Sequence, residues 1–164
     1  MIQRIQTLLL LAAAILNLAV LGTPLWSVKN EVTSDVAVMT GLTVQITGTS
    51  PSTTGISDSK FLLLQFILVL AASAFTLFTI FNFKDRKKQI RFTYFSRALI
   101  CVQLLITIVL VSQELPAMVH SNEEYPGTFG VGLFFPFAAI LLIWFAASRI
   151  KKDEELVKSM DRFR

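Results

Sequence analysis

"FLLLQFILVLAASAFTLFTIFNF", residues Phe61 to Phe83, runs for 23 residues without a charge. A helix that crosses a bilayer needs roughly 20 consecutive, mostly apolar residues. The polar members of the run, Gln65, Ser73, Thr76 and Thr79 among them, are all neutral. The stretch therefore reads as a membrane span, and the remaining sequence is organised around it.

Three further apolar runs flank it. "QTLLLLAAAILNLAVL", Gln6 to Leu21, stops at Gly22, Thr23 and Pro24, which a helix does not continue through comfortably. Another extends from Phe92 to about Val111, with Arg97 near its start, where a long Arg stem can reach headgroups. The last extends from Phe129 to Ser148 with Pro136 inside it, a proline that a membrane helix accommodates or kinks at. The expected spans are about 5–22, 61–83, 92–113 and 128–148, in one domain covering 1–164. Outer loops then occupy 23–60 and 114–127, a cytoplasmic loop 84–91 and a cytoplasmic tail 149–164. Composition agrees: 54% of the 164 residues are apolar and 16% charged, too hydrophobic for a soluble domain of this size.

The first run begins with "MIQR", a charged start of the kind a signal peptide has, but "LAVLGT" matches a small-residue cleavage site poorly. It is expected to remain as a span. Between the first two runs, "VAVMTGLTVQITG" alternates apolar and Thr/Gln residues around Met39, Thr40 and Gly41, the pattern of two short strands and a turn. The following "TGTSPSTTGISDS" reads as loop. The expected fold is an all-α membrane protein: four transmembrane helices, a small β-hairpin in the first extracytoplasmic loop and a cytoplasmic C-terminal amphipathic helix.

Charge sets the expected orientation. Of the 15 Lys and Arg, 13 fall on one side, all but Lys29 and Lys60, while the other side carries Glu31, Asp35, Asp58, Glu114, Glu123 and Glu124. Basic residues in short loops stay cytoplasmic, so both termini are expected inside. In the tail "RIKKDEELVKSMDRFR", Leu156, Met160 and Phe163 recur at spacings of four and three on one helical face, a candidate contact with the membrane or a partner. Arg86, Lys87, Lys88, Lys151 and Lys152 are candidates for anionic headgroup contact. "KDRKKQIR" is too short and too close to a span to read as a nucleic-acid site.

The opening "MIQRIQTLLLLAAAIL" and the closing "IKKDEELVKSMDRFR" resemble the domain-of-unknown-function 4293 family, small four-helix inner-membrane proteins of Bacteroidota. The resemblance implies a location in the bacterial inner membrane and a topology. It carries no catalytic residues.

Chemistry has little foothold in the sequence. Transport pathways ordinarily leave ionisable groups at mid-depth; here Asn17, Gln65, Ser73, Thr76, Thr79, Gln103 and Thr107 are neutral and suit hydrogen bonds between helices. His120, near Glu114, Glu123 and Glu124, lacks a second His or Cys at ligand spacing. Cys101 is the lone cysteine and is expected to pack as a small apolar residue. "GTFGVG", Gly127 to Gly132, has neither the preceding strand nor the Lys of a phosphate-binding loop. No enzyme activity, cofactor or metal is expected. The expected role is an accessory or scaffold subunit of a membrane assembly, partnered by lipids and other membrane subunits through surfaces such as Ala12–Ala14, Ala71–Ala74, Ala138 and Ala139. A small transporter, channel or lipid-handling protein is the alternative, and a loose likeness to the claudin arrangement lacks that group's paired cysteines.

Overall fold

The computed structural model describes residues 3–29, 36–47, 51–55, 60–83, 85–118 and 128–162, without the side chains of 3–4, 110–118, 157–158 and 160–162. In chain order the elements are α1 (Gln3–Ala19), β1 (Pro24–Lys29), β2 (Val36–Thr40), β3 (Val44–Thr47), β4 (Ser52–Thr54), α2 (Lys60–Phe81), α3 (Arg86–Met118), β5 (Thr128–Phe129), a 3-10 turn (Val131–Leu133) and α4 (Phe134–Arg162). The helices pack in a ring, α1 against α2 and α4, and α3 against α2 and α4.

Two parts of the sequence expectation are corrected. The chain is not all-α: its strands form a five-stranded antiparallel sheet in the order β4-β3-β2-β1-β5. Nor are there four candidate spans. Among the described residues three helices are long and apolar enough to cross a membrane, Lys60–Phe81, Arg86–Val109 and Val131–Leu156, while Ile5–Ala19 is apolar but shorter. Backbone geometry explains the shortening. The chain turns at Leu21 and Gly22, whose N–H groups donate to Leu18 and Ala19, and Thr23 donates its hydroxyl to the Ala19 carbonyl at 3.0 Å. The apolar residues Val20 and Leu21 thus belong to the turn into β1, and α1 has 17 residues, about 26 Å at 1.5 Å per residue against a hydrocarbon core of about 30 Å.

The sheet grew beyond a hairpin for a similarly local reason. β2 and β3 pair as expected around Met39 and Thr40, closed by the Thr40 N–H to Thr43 carbonyl bond of 2.8 Å. The Ser/Thr-rich stretch read as loop supplies β4, three residues long, and "PLWSVK" supplies β1. β5 comes from the far side of the chain and pairs Trp26 with Phe129 and Ser27 with Thr128. β4 and β5, three and two residues long, are too short to show a period of two.

Two apolar cores hold these parts together. Leu10, Ala13, Ala72, Ile100, Ala139, Ile143 and Ala146, drawn from all four helices, form one buried cluster. Ala37, Met39 and Val44 of the sheet form the other with Leu62 at the start of α2, with Trp26, Ile46 and Ile106 packed against them. The sheet therefore sits over the ends of α2 and α3. At the opposite end Phe75 and Phe78 of α2 meet Phe92 and Phe95 of α3, Phe75 and Phe92 edge-on at 5.5 Å between ring centroids, a favourable quadrupole geometry. Pro136 is the third residue of α4, so its missing N–H falls in the first turn, where no intrahelical partner exists.

Gly130 marks the tightest junction. Its N–H donates to Leu25 at 2.9 Å, and a Cβ there would collide with the Pro24 carbonyl. Its φ of −80° is open to any residue, so space alone demands glycine. Gly130→Ala should lower the melting temperature in mild detergent by an amount matching about 1–3 kcal/mol of overpacking. Gly22→Ala, with nothing within 4 Å of the added carbon, is the matched control. Equal melting of the two variants would remove this reading.

Candidate functional site

The interior of the helical ring is lined unevenly. On α3 the residues Gln89, Thr93, Ser96, Ile100, Gln103 and Thr107 are buried at successive spacings of four, three, four, three and four, and all but Ile100 are polar. That alternation of three and four keeps one face of a helix toward its neighbours. α2 buries Gln65, Ser73, Thr76 and Thr79 beside Leu62, Val69 and Ala72, and α1 buries Gln6 and Asn17. α4 faces them with Ala139, Ile143, Ala146 and Ile150. The outer faces are the greasy ones: Leu8, Ile15, Ile67, Phe78, Phe95, Leu105, Leu141 and Phe145 are exposed. The ring holds its neutral polar groups inside, among the apolar side chains of the helical core, and turns apolar side chains outward, as a bilayer solvent allows.

Two clasps join helices across this interior. Asn17 donates through Nδ2 to Ser73 Oγ at 3.0 Å and to the Val69 carbonyl at 3.3 Å, tying α1 to α2. Gln65 donates to Thr107 Oγ1 at 2.7 Å, tying α2 to α3, and Thr107 in turn donates to the Gln103 carbonyl at 2.9 Å. Thr76, Thr79 and Thr93 instead bond carbonyls of their own helices. Five buried polar atoms have no partner among the described residues: Asn17 Oδ1, Gln65 Oε1, Ser96 Oγ, and both the oxygen and nitrogen of the Gln103 amide.

At the basic end a single carboxylate gathers three helices. Asp153 of α4 accepts a hydrogen bond from the Gln6 amide of α1 and lies 3.7 Å from Arg86 of α3, with its side chain only 11% exposed. Asp85 begins α3 as its cap: Lys88 N–H donates to its carboxylate at 3.3 Å, Gln89 N–H donates to its carbonyl at 2.9 Å, and the Lys88 ammonium lies 3.1 Å away. The side-chain bond from Lys88, then its backbone bond, hold the Asp85 carboxyl below the usual carboxylate range.

The sequence-derived candidates distribute as follows. Arg86 is committed to Asp153 and Lys88 to Asp85, while Lys87, Lys151 and Lys152 are exposed. Leu156 is exposed on α4, which continues unbroken to Arg162; the Met160 side chain and Phe163 lie outside the described residues. His120, Glu123 and Glu124 also lie outside them, as does the Glu114 side chain. Cys101 is exposed on α3, not packed in the interior as expected, because it falls between the buried positions Ile100 and Gln103. Of the alanines offered as a partner surface, Ala13, Ala14, Ala72 and Ala139 are buried in the chain's own packing. Gln6, Gln89, Thr93 and Ser96 escaped the sequence reading, although the spacing from Gln89 to Thr107 was a usable signal. Among the described residues no three His, Cys, Asp or Glu come together as a metal site.

Three long apolar helices, an interior of neutral polar groups and a sheet over one end define a membrane protein with a small β-structured cap. The profile of the domain of unknown function family DUF4293 matches residues 2–163, and the chain belongs to that family. Among curated proteins, none matches the chain.

The orphaned amide and the bonded one respond differently to substitution. Gln103→Met, which fills the same space without polar atoms, should leave melting in detergent unchanged or raise it. Thr107→Val strips Gln65 of its acceptor and should cost about 1–3 kcal/mol. Thermal melts of the two purified variants decide this, and a large loss for Gln103→Met would show that the amide has a partner.

Proposed function

We propose that the chain is a non-catalytic, multi-pass protein of the bacterial cytoplasmic (inner) membrane that serves as an accessory or scaffold subunit of a larger membrane assembly. Its basic end and both termini face the cytoplasm, and the sheet faces outward. The packed interior carries this reading: side chains from all four helices interlock at Leu10, Ala13, Ala72, Ile100, Ala139, Ile143 and Ala146, which suits a solid supporting body better than a conduit. The bond from Gln6 to Asp153 supports a common side for the termini, since it joins the beginning of α1 to the last third of α4. The clustering of Lys and Arg at that end supports the cytoplasm as the side. Lipids and other membrane subunits are the partners, and the exposed Leu156 belongs to the face that would meet them.

A small transporter, channel or lipid-handling protein is the second reading, favoured by the unpartnered Gln103 amide within the interior. Reporter fusions after Arg164 and within residues 50–57 should report opposite compartments, and the same compartment for both would end the proposed orientation. Gentle extraction should yield the chain with a membrane protein in fixed ratio, and Leu156, Met160 and Phe163 changed together to Ser should release that partner if the tail docks it. Solute flux through liposomes holding the chain alone, abolished by Gln103→Met, would overturn the scaffold in favour of transport.

A further inference from the structure

On the outer side of the α3–α4 contact lies a groove of about 290 Å³ lined by Tyr94 and Arg97 of α3 and by Trp144, Ser148 and Lys151 of α4. The residues recur at three on α3 and at four and three on α4, so each helix contributes one face, next to the buried face that holds Ser96 and Ile143. The Arg97 guanidinium stands 4.5 Å over the Tyr94 ring. Tyr94 is one turn nearer the start of α3, so the charge is turned back toward the basic end, where Lys151 also lies. Among the described residues neither Arg97 nor Lys151 has a carboxylate within ion-pair distance, whereas Arg86 and Lys88 do. Ser148 spends its proton on the Trp144 carbonyl at 3.0 Å and presents lone pairs to a donor. Tyr94 and Trp144 are about half exposed, amphipathic rings of the kind that settle where hydrocarbon meets headgroup.

We propose that this groove binds the headgroup of an anionic glycerophospholipid. Its phosphodiester sits between Arg97 and Lys151, a headgroup hydroxyl donates to Ser148, and the first methylenes of an acyl chain lie along Trp144. Two unpaired cations need an anion, while the aromatic walls need an apolar neighbour, and a phospholipid supplies both in one molecule. The proposal rests on the reading that the basic end lies at a membrane surface, and it names the ligand held there. The site differs from the diffuse attraction of Lys87 and Lys88 because its cations are framed by rings and a hydroxyl.

The test uses the full chain in nanodiscs of phosphatidylcholine doped with phosphatidylglycerol, with lipid retention read by native mass spectrometry after release. Wild type should retain phosphatidylglycerol over phosphatidylcholine by about thirtyfold, the scale of two basic residues near a charged surface. Arg97→Gln with Lys151→Gln should abolish that preference with helix content and melting unchanged. Lys87→Gln with Lys88→Gln removes the same charge elsewhere and should leave it intact. Equal loss in both double variants, or no preference in wild type, overturns the groove as a site. Retention competed away by millimolar inorganic phosphate without lipid selectivity would assign it to free phosphate instead, and overturns the lipid proposal. Both nanodisc leaflets carry the same lipids, so a reversed orientation found by the reporter fusions would leave this result standing.

Discussion

A polar side chain inside an apolar slab must find its partner within the protein, and that constraint fixes how α1, α2 and α3 are rotated. Hydropathy cannot supply the rotation, since the outer and inner surroundings of a membrane helix are both apolar. Asn17, Gln65 and Thr107 supply it instead: turning α1 or α3 about its axis would expose an amide or hydroxyl to hydrocarbon and break the bonds to Ser73 or Gln65. Once these faces are set, the alanines of α1, α2 and α4 come together with Leu10, Ile100 and Ile143, and the close approach of small residues gives the interior its density.

The two ends of the helical ring are secured by different means. Under the sheet the fastening is largely main chain, the ladder of β1 with β2 and β5 and the bond from Gly130 to Leu25. At the basic end it is side chain, with Asp153 accepting from Gln6 and facing Arg86 while four phenylalanines join α2 to α3. A chemical contrast follows: one end is held by main-chain bonds that salt does not screen, the other partly by a charge pair that salt weakens. The partial exposure of Arg86, 28% of its side chain, limits how much that pair contributes.

The long spans were legible because the uninterrupted apolar runs of α2, α3 and α4 are longer than the core of a small soluble domain accommodates and match the thickness of a bilayer. The family was legible from the two ends of the chain. α1 was overread because Val20 and Leu21 are apolar yet belong to a turn, and hydropathy does not distinguish a buried turn from a last helical residue. The sheet was underread because β4 is Ser-Thr-Thr and β5 is two residues, sequences that signal loop until a neighbouring edge is present to bond them. Within the interior, Gln65, Gln103 and Thr107 were recognised as hydrogen-bonding groups, but the line from Gln89 through Thr93 and Ser96 was not, since those residues fall where apolar character is only beginning. The α3–α4 groove needs two helices to be placed side by side, which no single stretch of sequence encodes.

β5 imposes an order on biogenesis. β1 through β4 are all made before α2 leaves the ribosome, yet β1 keeps an open edge opposite β2 until residues 128 and 129 arrive, about a hundred residues after Trp26. Through the synthesis of α2 and α3 that edge offers unpaired N–H and C=O groups to any passing strand. The two-residue strand is thus a latch that closes only after two long helices have been delivered, and it shuts the interval in which the nascent chain can misassemble with its neighbours.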